Sequence, residues 1–222
     1  MNQTISPAAR IVVVDDHGIV RFGYSQLINQ EPDMEVCGLA SNEQEGIMFL
    51  SRESPDLVIV DLTLKEGSGM DLVQSAIKIC PAIKILVISA HDESLFAHRV
   101  LAAGAHGYIN KEEAPEKLIE GIHALLGGDF FFSKSVTKNL IRRRLGDPKP
   151  ATMQGLESLT NRELQVFEQI GNGRSTREIA DALFLSVKTI ERHKENIKSK
   201  LNVDNATQLV QHATRWVLKR GY

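Results

Sequence analysis

The sequence is poor in cysteine, in long apolar runs and in net charge, and each shortage removes a class of function. Its two cysteines, Cys37 and Cys80, build neither a disulfide framework nor a cysteine metal site. They read as buried free thiols of a reducing compartment. No apolar run approaches the roughly 20 residues that a helix needs to cross a bilayer. The first ten residues, Met1 to Arg10, are polar and lack a signal-peptide pattern. The expectation is a soluble, cytoplasmic protein. No internal repeat or low-complexity tract stands out. Net charge is only −2 over 222 residues, which by itself gives no reason to expect a polyanionic partner.

What is present is unevenly spread. Residues 1–133 hold 9 Lys/Arg against 19 Asp/Glu, whereas residues 134–222 hold 17 against 9. An acidic half joined to a basic half implies two domains with different partners, the basic one suited to a polyanion. The length is comfortable for two domains, and an apolar content of 42% supplies a core for each.

The acidic half alternates strand-like and helix-like segments. Short β-branched runs predict strands at 11–14, 34–40, 57–61, 83–88 and 107–109. Between and after them, helices fit 18–29, 43–53 (with Asn42 as cap), 69–79, 93–104 and 115–127, with Gly104 and Gly127-Gly128 as stops. This is a (βα)5 order, which implies an α/β domain with a parallel sheet and helices on both faces. Four of the runs stop at polar residues: Asp15-Asp16, Asp61, Ser89, and Lys111 after Asn110. Open parallel sheets bind ligands at the carboxyl ends of their strands, so these groups should converge on one rim.

Three carboxylates on one rim repel each other, and a hard divalent cation such as Mg2+ resolves that repulsion. Asp61 is then a candidate nucleophile toward a phosphoryl group. The cation and Lys111 would neutralise the transferred charge, and the Ser89 hydroxyl lies one donor away. Taken singly, each residue also has an ordinary reading as a helix cap, a turn former or a solvated lysine.

Past residue 128 the composition changes. Phe130-Phe131-Phe132 is an apolar cluster expected to pack against the preceding domain. A short basic helix fits 134–145, and Gly146-Asp147-Pro148-Lys149-Pro150 has linker composition, with loose structure expected to Gly155. Beyond it, helices fit 161–171, 175–184, 186–201 and 205–218, a small all-α four-helix domain. Thr160 with Glu163, and Ser175 with Glu178, fit capping boxes. At 100° per residue, Ile190, Ile197 and Leu201 share a narrow arc of helix 186–201. Lys188, Arg192, Glu195 and Ser199 lie opposite, with Glu191 and Asn196 at the edges. The preceding helix offers Ile179, Ala180, Leu183 and Phe184 for burial, and the turn between the two is short. That is helix-turn-helix geometry. In the last helix, Leu209, Ala213, Trp216 and Val217 read equally as core packing or as an interface.

The motifs Val13-Val14-Asp15-Asp16, Asp61 with Gly69 eight residues on, Ser89-Ala90 and Ala103-Gly104-Ala105-His106-Gly107-Tyr108-Ile109-Asn110-Lys111 resemble those of the response-regulator receiver domain over residues 10–128. The resemblance implies a flavodoxin-like fold with Asp61 as phosphoacceptor. Asp16, Asp61 and the backbone carbonyl of Thr63 would hold Mg2+, and Asp15 would act through water. Ser89 would turn to the phosphoryl oxygen and Tyr108 would follow it inward as a switch. Two positions depart from the family: Lys65 and Glu112 stand where proline is usual. Lys65 puts the shape of the loop beside Asp61, and the lifetime of the phosphoryl group, in question.

Leu159-Thr160-Asn161-Arg162-Glu163, Ile179-Ala180, Leu185-Ser186-Val187-Lys188-Thr189-Ile190-Glu191-Arg192-His193 and Ile197-Lys198-Ser199-Lys200-Leu201 resemble the LuxR-type output domain of the NarL/FixJ response regulators over residues 159–216. By that resemblance, Glu191, Arg192 and Glu195 would read base edges, and Lys188, Thr189, Lys194 and Lys198 would contact phosphates. The last helix would dimerise the protein and set half-site spacing.

Together the two resemblances imply a non-enzymatic, phosphorylation-switched transcription regulator. Its receiver would span 1–128, a linker with a short helix 129–157, and the DNA-binding domain 158–222. A sensor histidine kinase would phosphorylate it, and as a homodimer it would bind inverted half-sites on double-stranded promoter DNA. Two rival readings have less support in the sequence. A phosphatase of the haloacid-dehalogenase kind needs a second acid, yet Asp61-Leu62-Thr63 has none. A transcription factor whose receiver serves only for dimerisation draws support from Lys65 alone.

Overall fold

Apolar and mostly β-branched residues at positions 11–14, 57–60 and 85–88 leave little choice but a sheet buried on both faces, and that is the centre of the N-terminal unit. The computed structural model describes residues 7–144 and 155–218, so most of the expected loose stretch lies outside the described residues. The chain divides into two compact units, one up to Arg142 and one from Arg143.

The first unit holds strands β1 (Ala9–Val14), β2 (Met34–Ala40), β3 (Leu57–Val60), β4 (Lys84–Ser89) and β5 (Gly107–Asn110). They form one parallel sheet in the order β2-β1-β3-β4-β5. The connecting helices are α1 (Gly18–Asn29), α2 (Glu43–Glu53), α3 (Gly69–Ile79), α4 (Glu93–Ala103) and α5 (Ala114–Leu126). Successive strand residues face opposite sides. Ile11, Val13, Ile59, Leu86 and Ile109 meet Ile28 of α1 and Leu118, Ile122 and Leu125 of α5 in one core. Helices α2, α3 and α4 neighbour one another in sequence order and supply the buried Leu50, Leu72, Val73, Phe96 and Val100.

Local chemistry sets the helix ends. Asn42, Ser68 and Asp92 accept backbone N–H groups at the starts of α2, α3 and α4. Gly104 stops α4 at φ 109°, a backbone state that side chains other than glycine's disfavour. Gly69 has a different constraint: a Cβ there would stand 1.9 Å from the Asp61 carbonyl oxygen. Helix α3 therefore starts hard against the backbone of the site.

Several expectations need adjustment. Strand β3 ends at Val60, while β4 and β5 run on to include Ser89 and Asn110. Cys37 and Cys80 are half-buried rather than buried, and their thiols donate to the carbonyls of Ile11 and Leu50 at 3.5 Å. Of the three phenylalanines, Phe131 packs on the core and its backbone bridges to Gly107. Phe130 stays 63% exposed and stacks on His106, because the bridge aims the two side chains in opposite directions. Through Phe131 and the Ser133–Glu93 hydrogen bond, the segment after residue 128 and the start of α6 (Lys134–Arg144) belong to the first unit by contact.

The second unit holds a 3₁₀ turn at Leu156–Ser158, absent from the expected elements, and helices α7 (Asn161–Gly171), α8 (Thr176–Ala182), α9 (Val187–Leu201) and α10 (Ala206–Leu218). Both expected capping boxes are formed. Glu163 also receives Lys200 at 2.6 Å, which ties α7 to α9. Helix α8 is shorter than expected, because Phe184 turns the chain at φ 53° and remains 40% exposed instead of entering the core.

Replacing Gly69 with alanine should lower the stability of the full chain by about 1–3 kcal/mol, the usual effect of an atom forced into filled space. Urea denaturation followed by circular dichroism measures it.

Candidate functional site

Strand register assembles the site before any side chain is considered. Strand order reverses direction between β1 and β3, and crevices open at the carboxyl ends of strands at such a switch point. Val14 lies opposite Val60, so Asp15-Asp16 and Asp61 emerge side by side. The Asp61 N–H donates to the Val14 carbonyl at 2.9 Å. Asn110 pairs with Ser89 in the β4–β5 register, and the Lys111 N–H donates to the Ser89 carbonyl at 2.9 Å. This delivers the lysine to the same rim.

Asp15, Asp16 and Asp61 are buried, and one ammonium serves two of them: Lys111 Nζ lies 2.6 Å from Asp61 Oδ2 and 2.8 Å from Asp15 Oδ2. Burial pushes the Asp61 carboxyl up to about 6 against the opposing pull of Lys111, and the neighbouring charge of Asp15 adds to the rise. Burial alone would lower Lys111, but Asp61 and Asp15 outweigh it and raise the group, so the ammonium keeps its charge.

This pairing leaves oxygens unsatisfied. The approach of Lys111 to Asp15 Oδ2 lacks hydrogen-bond alignment, and neither Asp16 oxygen accepts a hydrogen bond among the described residues. His17 Nδ1 stands 2.7 Å from Asp16 Oδ1, also without alignment, and Lys65 Nζ stands 4.0 Å from Asp16 Oδ2. Buried carboxylates without partners are costly, and a hard cation is the natural complement. Asp15, Asp16, His17 and Asp61 each offer a donor atom within 4.8 Å of the others. An oxygen-rich set of this kind suits Mg2+, which receiver domains generally bind at such an acidic cluster. The Thr63 N–H donates to Asp61 Oδ1 at 3.1 Å, which keeps Thr63 at the edge of the cluster.

Ser89 is fully buried, and its hydroxyl accepts the His91 N–H at 3.2 Å. Tyr108 is turned inward, 2% exposed, and donates its hydroxyl to the His91 carbonyl at 2.6 Å. The His91 ring meets Thr63 Oγ1 at 3.0 Å and stacks on Phe96. One residue thus joins the loops after β3 and β4 to the side chain of β5.

In the second unit, α9 buries Ile190 and Ile197 and leaves Lys188, Glu191, Arg192, Glu195 and Ser199 exposed. Ser186 caps it by accepting the Thr189 N–H, and its hydroxyl meets Thr189 Oγ1 at 2.8 Å. Glu191 is engaged by Lys194 at 3.0 Å and by Thr176 at 2.9 Å, and Glu195 by Lys198 at 2.9 Å. The lysine beside Glu191 holds its carboxyl below the usual range. Lys188 and Arg192 have no ion pair among the described residues. An amphipathic helix with a cationic, polar outer face is suited to a DNA groove.

Residues 11–123 match the response regulator receiver domain family, and residues 157–213 match the bacterial regulatory proteins of the luxR family. The chain belongs to the response regulators. The oxygen regulatory protein NreC of Staphylococcus carnosus (strain TM300) is 34% identical over 210 residues, covering 93% of this chain and 97% of NreC. The transcriptional regulatory protein DegU of Brevibacillus brevis is 31% identical, covering 99% of this chain and 100% of DegU. Among solved structures, RcsB from Salmonella enterica serovar Typhimurium, bound to promoter rprA with the phosphomimetic BeF3-, superposes with a TM-score of 0.61 at 25% identity, covering 93% of this chain and 98% of RcsB.

Two residues at the rim of this response regulator are not marked by the strand-end pattern. His17 follows the aspartate pair directly, and His91 lies two residues past Ser89; a scan for titratable neighbours of the strand-end groups would have flagged both. Helix α10 also settles differently from one of its two readings. Leu209, Ala213 and Trp216 are buried, and Trp216 meets Phe167 of α7 at 6.0 Å. They are spent on the core, and Val210 and Leu218 are the large apolar residues that α10 exposes. No helix among the described residues is long and apolar enough to cross a membrane.

Removing the Tyr108 hydroxyl (Tyr108→Phe) should cost about 0.5–1.5 kcal/mol of stability through the lost bond to His91, read from the urea midpoint of the full chain.

Proposed function

We propose that this response regulator is a transcription factor switched by phosphorylation of Asp61. The observation that carries the reading is the buried Asp61 carboxylate, held by Lys111 at 2.6 Å beside the hydrogen-bond-starved Asp16. A sensor histidine kinase supplies the phosphoryl group. An Asp61 oxygen attacks phosphorus, the O–P bond forms, the N–P bond of the phosphohistidine breaks, and the imidazole keeps the electron pair. Asp16, Asp61 and the Thr63 carbonyl would hold Mg2+, with Asp15 acting through water, and the ion would supply neutralising charge.

Lys111 exchanges part of its carboxylate pairing for a phosphoryl oxygen. Ser89 donates its hydroxyl to another, and that movement is relayed to Tyr108 through the His91 segment they share. Thr63 offers no second acid for general acid/base work, so the phosphoryl group is held as a signal instead of being turned over as by an enzyme. The protein acts in the cytoplasm.

The functional division follows residues 1–128 for the receiver, 129–157 for the linking segment and 158–222 for DNA binding. Phosphorylation favours a homodimer on inverted half-sites of promoter DNA; in support, RcsB has been solved as dimers bound to DNA and, with the phosphomimetic BeF3-, bound to promoter rprA. On α9, Arg192 is the strongest candidate for a base edge, with Glu191 and Glu195 beside it. Lys188, Thr189, Lys194 and Lys198 serve phosphates. The lysine partners of both glutamates screen acids that would otherwise repel the DNA backbone.

Asp61→Ala should abolish labelling by acetyl phosphate in the presence of Mg2+; retained label would overturn the assignment of Asp61. Arg192→Ala should weaken specific promoter binding by about 1–3 kcal/mol, and an unchanged footprint would remove that residue from the reading face.

A further inference from the structure

After α5 the chain returns to the sheet and lies along the outer edge of β5. The Phe131 N–H donates to the His106 carbonyl at 3.1 Å, and the Tyr108 N–H donates to the Phe131 carbonyl at 2.8 Å. Two residues on, the Ser133 N–H donates to Glu93 Oε1 at 2.8 Å. Ser133 also starts α6: its carbonyl accepts the Thr137 N–H at 2.9 Å, and its hydroxyl accepts the Val136 N–H at 3.3 Å. Helix α6 then carries the chain across the division between the two units, which falls between Arg142 and Arg143.

The two ends of this strap are held differently. Phe131 has two backbone bonds to β5 and packs on the core, and Phe130 stacks on His106. Ser133 is held by a side chain of α4, and Glu93 is the first residue of that helix. Just before it, His91 is fastened to the rim twice. Its N–H donates to the Ser89 hydroxyl at 3.2 Å, and its carbonyl accepts the Tyr108 hydroxyl at 2.6 Å. When the Ser89 oxygen turns to a phosphoryl group, the buried His91 N–H loses that acceptor. A buried donor left without an acceptor is costly, so the stretch 91–93 shifts to recover one. The Glu93 carboxylate moves with it.

We infer that the Glu93–Ser133 bond is a latch that phosphorylation releases. With Asp61 unmodified, Glu93 holds the strap and so fixes the start of α6. With Asp61 phosphorylated, the stretch 91–93 moves, Ser133 comes free, and α6 swings on the hinge that Phe131 provides. The inference rests on the proposed switch at Asp61 and names the element through which that switch leaves the receiver. Glu93 is a positioning residue that never touches the phosphoryl group. Its bond to Ser133 is charge-assisted, and such bonds are about twice as strong as neutral ones. One such bond is enough to hold the strap, and one is few enough for a local shift to break.

The test follows amide hydrogen exchange by NMR in the full-length protein, with Mg2+ alone and with Mg2+ plus beryllofluoride as phosphoryl probe. The fluorine signal of the bound probe reports loading of Asp61. Loading should speed exchange at Ser133 by about tenfold or more, the factor for losing one bond to a charged acceptor. Exchange at Phe131, the hinge, should change by less than about twofold. Glu93→Ala should give Ser133 the fast rate before loading. Glu93→Gln keeps an acceptor oxygen and should keep both the slow rate and its rise on loading. An unchanged or slower Ser133 rate in the loaded protein overturns the inference and leaves Asp61 labelling standing. So does an equal rise at Phe131, or a Glu93→Ala variant that exchanges like the unsubstituted chain. If beryllofluoride does not load the unsubstituted protein, the switch reading falls and the inference with it. Glu93→Ala leaves the Asp92 cap bond to Ser94 in place, and loading of the variant itself reports an intact rim.

Discussion

One ammonium group faces more buried negative charge than it can neutralise. Lys111 reaches Asp61 and Asp15, and buried Asp16 accepts no hydrogen bond among the described residues. A fold that only had to be stable would not keep such an arrangement, since unpaired buried carboxylates oppose folding. The imbalance reads as stored capacity: a place for a cation, and for a dianionic group that the cation and Lys111 can share. Burial lifts the Asp61 carboxyl above its usual range against the pull of Lys111, and the neighbouring Asp15 charge adds to the rise.

The rest of the first unit serves to hold that imbalance in place. The switch in strand order puts β1 beside β3 and so sets Asp15-Asp16 against Asp61. Gly69 lets α3 start against the Asp61 carbonyl, where any side chain would collide. His91 links Thr63, Ser89 and Tyr108. A change at the carboxylate therefore has a short, packed route to the β5 edge.

The second unit solves a different problem, presenting charge without losing its fold. Glu163 closes a capping box on α7 and also receives Lys200 from α9; burial would raise its carboxyl, but Lys200 and Thr160 prevail and lower it. Gly171 allows α10 to lie close to α7, since a Cβ there would meet the Ala213 carbonyl at 2.7 Å. With the core made this way, α9 can turn Lys188 and Arg192 to solvent.

Much was legible in the sequence because the signals are local. Alternating β-branched runs and cap residues place nearly every element, and strand-end polar residues mark the rim. Cap chemistry involves groups three residues apart, and burial on both sheet faces demands unbroken apolar runs. Contacts between segments distant in sequence were not legible. That Phe184 would turn outward, that Trp216 would be spent on Phe167, and that Glu191 and Glu195 would be held by lysines depend on how helices meet. No periodicity encodes those meetings. The rim divides the same way: the sequence by itself determined which acids and which lysine stand at strand ends. Only the tertiary structure decided that one lysine serves two of the aspartates, that Asp16 accepts no hydrogen bond among the described residues, and that the His17 imidazole stands against Asp15 and Asp16. Strand register and helix docking set these distances, and they arise from packing the whole sheet at once.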